Sequence, residues 1–199
     1  MNRAPGGGAE ANGAQPLPAG GADSVAAGVI VHASAVATSS AHGERGVLIL
    51  GPSGSGKTRL ALELIALGHA LDIALIGDDR VQIEQPEMPG AGPPRMRAVP
   101  TIAGLVEIRG HGVLRHPYRQ AAPIWLAVDL TPLPVATHEQ RLFPMRALSI
   151  ASASVPCLGG GAGLHAASII AMLRTGRLPD AEQGPVAVRV ASTIAVPSE

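Results

Sequence analysis

Apolar and polar positions along the chain fall into short runs separated by turn-forming residues. Gly28–His32 holds three consecutive β-branched side chains and predicts a short strand. Ser39–Arg45 is polar and reads as a turn. Gly46–Leu50 is a compact apolar run, the pattern of a strand buried on both faces. Lys57–Leu67 places apolar residues at 60, 62, 64, 65 and 67 among helix formers, with Gly68 as its stop. Leu71–Gly77 predicts a second buried strand, ending at Asp78-Asp79. Gln85–Pro100 is rich in Pro and Gly and reads as a loop. Leu105–Arg109 and Ile124–Leu130 are further strands, and Thr131–Pro134 is a turn. Gly159-Gly160-Gly161 leads into a predicted helix, Leu164–Thr175, stopped by Gly176 and Pro179. Strands alternating with helices predict an α/β fold with a mostly parallel sheet.

Composition sharpens this reading. The 199 residues suffice for one domain with its own core. Residues 1–23 lack periodicity and read as a flexible tail, 24–178 as the folded domain, and 179–199 as a second tail. Aromatics are only 2%, so Ala, Val, Ile and Leu must build the core. The formal net charge is zero, which argues against a partner held through nucleic-acid phosphates. The single cysteine, Cys157, cannot close an internal disulfide and suits a reducing compartment; it reads as a small buried hydrophobe. The first 20 residues carry no apolar signal core, and the longest apolar stretch, near Val25–Ala37, is too short and polar for a bilayer span. The expectation is a cytoplasmic protein with no membrane association.

Gly51-Pro52-Ser53-Gly54-Ser55-Gly56-Lys57-Thr58 fits G-x-x-x-x-G-K-[ST], and its context is a predicted strand before and a predicted helix after. Glycines let backbone N–H groups converge on phosphate oxygens, and the helix start adds partial positive charge. Lys57 is placed for the β- and γ-phosphates, and the Thr58 hydroxyl for Mg²⁺. The expected cofactors are therefore ATP and Mg²⁺, on a P-loop kinase domain with a central, mostly parallel sheet flanked by helices. One α/β unit later come Asp78 and Asp79. Adjacent residues on an extended chain point to opposite faces, so one carboxylate can serve a metal and the other a nucleophile.

Several motifs together resemble the catalytic domain of HPr kinase/phosphorylase. They are Val31-His32-Ala33-Ser34, the glycine loop, Gly77-Asp78-Asp79-Arg80, and Gly104-Leu105-Val106-Glu107-Ile108-Arg109-Gly110-His111-Gly112-Val113. The last is similar to that family's G-L-[IVL]-E-[IVL]-R-G-x-G-[IV] signature, and the resemblance covers roughly residues 28–145. It implies a short form of the family: an ATP-dependent kinase for a seryl hydroxyl of HPr, the carrier protein of the sugar phosphotransferase system, or of a related carrier. It also implies a reverse phosphorolysis and a homo-oligomer, commonly a hexamer. Carried over, Asp78 is the acid/base residue, and Asp79 and Glu107 support the metal with Thr58. Arg109 clamps charge, His32 lies near the loop, and Arg141 is an active-site arginine. The sequence departs from the family after Val155-Pro156, where Cys157-Leu158-Gly159 stands without Lys or Arg. A small-molecule kinase and a nucleotide sensor without turnover are the alternatives.

Overall fold

The computed structural model describes residues 28–86, 88, 91–132, 145–159 and 165–179. The glycine-run helix prediction and both tail predictions lie partly or wholly outside these residues, as does Arg141. The strands are β1 (Val29–Val31), β2 (Ser34–Ser40), β3 (Gly43–Leu50), β4 (Ala74–Gly77), β5 (Val81–Glu84) and β6 (Arg95–Ala98). They continue with β7 (Leu105–Ile108), β8 (Gly112–Arg115), β9 (Ala121–Asp129), β10 (Met145–Ile150) and β11 (Ala153–Gly159). The helices are α1 (Lys57–Leu67) and α2 (Ala166–Thr175).

One large sheet runs β1-β5-β6-β9-β3-β2-β4, with β11 beside the end of β9 and β10 beyond it; β7 and β8 form a separate hairpin. The expectation of a mostly parallel sheet is corrected. Only β9 with β3 and β9 with β11 pair in parallel, and the other strand pairs within the large sheet are antiparallel. The cause is connection length. A parallel pair needs a long crossover, whereas Ala41-His42 is a two-residue link between β2 and β3 that permits only an antiparallel hairpin. The polar segment 39–45, read as a turn, is thus mostly paired strand. The stretch read as the loop 85–100 likewise contains β6, whose alternating Met96 and Ala98 are buried.

The helices are also not on both faces. Leu60, Ala61 and Leu64 of α1 and Ile169, Ile170 and Leu173 of α2 share one core with Val36, Val47, Ile49, Leu126 and Val128. The opposite face holds Leu48, Ala127, Ala35, Ile76, Ile83, Leu148, Val155 and Cys157. Residues 47, 48 and 49 therefore alternate between two cores, which is why β3 reads as an unbroken apolar run. Helix α1 begins and ends where expected; the Gly68 N–H closes it on the Leu64 carbonyl at 2.9 Å. Among the described residues no helix is long and apolar enough to cross a membrane.

This topology places the chemistry. β2 is antiparallel to both β3 and β4, so β3 and β4 run in the same direction with β2 between them. The glycine loop after β3, the Asp78-Asp79 turn after β4 and the start of β2 consequently meet at one sheet edge.

Candidate active site

At that edge a cavity of about 440 Å³ is lined by His32, Ser53, Gly54, Gly56, Lys57, Thr58, Arg59, Leu62, Asp78, Asp79, Glu107, Ile108 and Arg109. Four separate pieces of chain supply these residues: the segment entering β2, the loop with the first turns of α1, the turn after β4, and the end of β7.

The loop bends through left-handed backbone at Gly54 (φ 79°) and Gly56 (φ 95°), which a side chain would oppose. Gly56 starts α1, and no side chain caps its first turn. The free N–H groups there and the local dipole form a site suited to an anion. Lys57 is 7% exposed, and its ammonium donates to the carbonyls of Gly51 at 2.9 Å and Pro52 at 3.0 Å. Burial pushes the Lys57 ammonium below its ordinary range, Asp78 and Asp79 push it back up, and Arg109 pushes it down.

Asp78 is buried. It accepts from the Thr58 hydroxyl at 3.0 and 3.1 Å on its two oxygens, and from Ser34 at 2.5 Å on Oδ1. Asp79 has left-handed backbone (φ 69°) and an exposed side chain. Its backbone carbonyl and Oδ1 each lie 3.0 Å from His32 Nδ1, and Arg80 lies 3.9 Å from Oδ2. The two carboxylates thus face different surroundings. Arg109 lies over the loop, its guanidinium nitrogens 3.7 and 3.9 Å from where a Cβ on Gly54 would stand. Glu107 and Arg109 line one cavity; among the described residues they form no ion pair with each other.

Of the residues singled out from the sequence, His32, Ser53, Gly54, Gly56, Lys57, Thr58, Asp78, Asp79, Glu107 and Arg109 are brought together. Gly51 and Pro52 contribute carbonyls to Lys57, while Ser55 points inward, its buried hydroxyl without a partner among the described residues. Sequence reasoning assigned no role to Ser34, Arg59 or Leu62. Arg59 and Leu62 could have been found by continuing the α1 face past Thr58. Ser34 opens a strand that also holds Thr38, Ser39 and Ser40, so nothing local marks it as a site residue.

A second buried cluster stands beside the loop. Asp129 ends β9 opposite Leu50, pairs with Arg146 of β10 and accepts from the Thr131 N–H at 2.9 Å. Burial works to raise the Asp129 carboxyl, but hydrogen bonds from Thr131 and the Arg146 charge hold it below the ordinary value. Arg146 also reaches Cys157, which is fully buried; burial pushes the Cys157 thiol up, against the pull of Arg146.

Residues 24–118 match the family described as HPr Serine kinase C-terminal domain. HPr kinase/phosphorylase of Lacticaseibacillus casei is 44% identical over 72 residues, which cover 35% of this chain and 19% of that protein. The protein of the same name from Neisseria gonorrhoeae is 44% identical over 73 residues, covering 36% and 20%. The match therefore spans about a fifth of the length of these relatives. The structure of the Hpr(Ser) kinase/phosphatase from Coxiella burnetii superimposes with a TM-score of 0.59 at 20% identity, over 74% of this chain and 95% of that one. At that identity the superposition establishes a shared fold: a mixed α/β architecture with a large, mostly antiparallel sheet.

Proposed function

We propose that this protein is an ATP-dependent kinase that phosphorylates a serine of HPr, the phosphotransferase carrier protein, in the cytoplasm. The observation that carries the reading is the joining of Thr58 and Asp78 across one cavity, in a chain whose residues 24–118 match the HPr Serine kinase C-terminal domain. The names of the relatives support HPr as the acceptor and phosphorolysis as a reverse activity.

The donor set suits Mg²⁺. The Thr58 hydroxyl, Asp79 and Glu107 offer hard oxygen ligands lining the same cavity, which the uncapped start of α1 also borders. When bound there, the ion would neutralise charge on the phosphates. Lys57 and the loop N–H groups bind the triphosphate. Arg109, lying over the loop, holds charge on the transferring group. Asp78 takes the proton of the incoming serine hydroxyl as its oxygen bonds to the γ-phosphorus and the bond to the ADP oxygen breaks. His32 braces the Asp79 turn.

The test is intact mass spectrometry of HPr after incubation with this protein and Mg-ATP, beside D78N. One added phosphoryl group with wild type, formed far more slowly with D78N, is the expected result. Unmodified HPr in a wild-type sample that binds ATP overturns the reading.

A further inference from the structure

The geometry points to Ser34 as a positioning residue that fixes which oxygen of Asp78 meets the acceptor hydroxyl. This inference rests on the proposed phosphoryl transfer. Ser34 is fully buried at the start of β2, between the strands that deliver the loop and the aspartate: Ser34 pairs with Ile49 of β3, and Ala35 with Gly77 of β4. Its hydroxyl donates to Asp78 Oδ1 at 2.5 Å. Thr58 also reaches Oδ1, at 3.0 Å, so that oxygen accepts from two directions. Oδ2 has only Thr58 among the described residues, at 3.1 Å, and it is the oxygen left to accept a proton.

The neighbouring contacts make this a clamp. The Ala33 N–H donates to the Asp79 carbonyl at 3.3 Å, and His32 holds Asp79 from the same segment. Residues 32 to 34 thus grip the 78–79 turn at three points, and Ser34 is the one that touches the reacting carboxylate. Thr58 cannot do this alone, because its hydroxyl is shared with the cation role. A buried donor fixed by two strand neighbours stays in place when Thr58 turns. A carboxylate free to rotate about its Cβ–Cγ bond would present either oxygen and lose the alignment that in-line transfer needs.

The experiment compares S34A, S34C, S34T, D78N and S34A/D78N in steady-state transfer to HPr, with melting temperatures as a fold check. Cysteine keeps the size of serine with a weak donor, and threonine keeps the hydroxyl. S34A and S34C are expected to lower kcat roughly tenfold to hundredfold, the loss carried by one hydrogen bond to a charged group. KM for ATP should stay within about twofold, since the nucleotide contacts are untouched. S34T should restore kcat, and S34A should cost nothing further in the D78N background. An S34C enzyme that melts and turns over like wild type overturns the role of Ser34 alone. So does an equal loss of kcat in the wild-type and D78N backgrounds. A wild-type sample that transfers nothing to HPr overturns this inference together with the function on which it rests.

Discussion

The Thr58 hydroxyl lies 3.0 and 3.1 Å from the two carboxylate oxygens of Asp78, joining the first turn of α1 to the turn after β4. The contact follows from the topology: α1 carries the chain between two strands that run in the same direction, so both of their carboxyl ends open on one edge. A hydroxyl that can donate to a carboxylate and ligate a cation couples the two halves of the site.

Replacing Thr58 by valine removes the donor while keeping the shape of the side chain. Asp78, buried and left with Ser34, loses part of its hydrogen bonding, and the cation loses a ligand. T58V should raise the Mg²⁺ concentration for half-maximal turnover and lower kcat/KM for ATP on the order of a hundredfold. A Mg²⁺ titration of HPr phosphorylation checks this; an unchanged midpoint would sink the assignment of Thr58 to the metal.

Lys57 is held at a cost to the fold. It is almost wholly buried, and burial lowers its pKa, so the folded state disfavours its charge at neutral pH. The unfolded chain therefore binds the proton more tightly. Stability should rise as pH climbs from the folded value toward the ordinary 10.5. K57M should remove that alkaline rise and leave the nucleotide-free protein as stable or more stable, by on the order of 1 kcal/mol. The same variant should show no thermal shift with Mg-ATP, whereas wild type does. Melting curves across pH 7 to 11, with and without nucleotide, separate the two effects.

Arg109 reaches the loop from a different strand pair, the β7–β8 hairpin, and lies against Gly54. Its backbone is outside the large sheet, so truncating it should not disturb the main cores. R109A is expected to weaken ATP affinity about tenfold with a melting temperature near that of wild type. Fluorescent-nucleotide titration reads the loss. A large drop in stability instead would make Arg109 a structural residue.

Local signals carried much of this site in the sequence, and long-range ones did not. The loop was legible because strand, glycines, lysine and helix lie within about twenty consecutive residues, and periodicity reports such order directly. The helix α1 and the double burial of β3 were legible for the same reason. The direction of the sheet was not, because alternation within one strand says nothing about which strand lies beside it. Segment 39–45 is polar and unburied throughout and 95–98 is short and polar on one face, so turn chemistry masked strands that only their partners stabilise. Ser34 escaped because its meaning lies 44 residues away, at Asp78.

The same limit hid the pair of Asp129 and Arg146, which lie on β9 and β10, 17 positions apart in sequence. Both side chains are mostly buried, 18% and 16% exposed, and the carboxylate sits one strand from the start of the glycine loop. Removing one charge of such a pair strands the other in the interior, which costs about 3 kcal/mol or more. D129N should thus lower the melting temperature by roughly 6–12 °C. The pH dependence has a defined sign. Hydrogen bonding and the Arg146 charge hold the Asp129 carboxyl below its ordinary 3.8, so its stabilisation is present above that value. It is lost as pH falls through the lower, folded value. D129N should flatten this acid limb. Cys157 supplies an independent reading of the same cluster, since it is fully buried against Arg146 and burial raises its thiol. A thiol reagent should label native wild type slowly and D129N much faster at the same pH. Equal labelling rates with equal melting temperatures would show that the pair does not hold the β9–β10–β11 edge together.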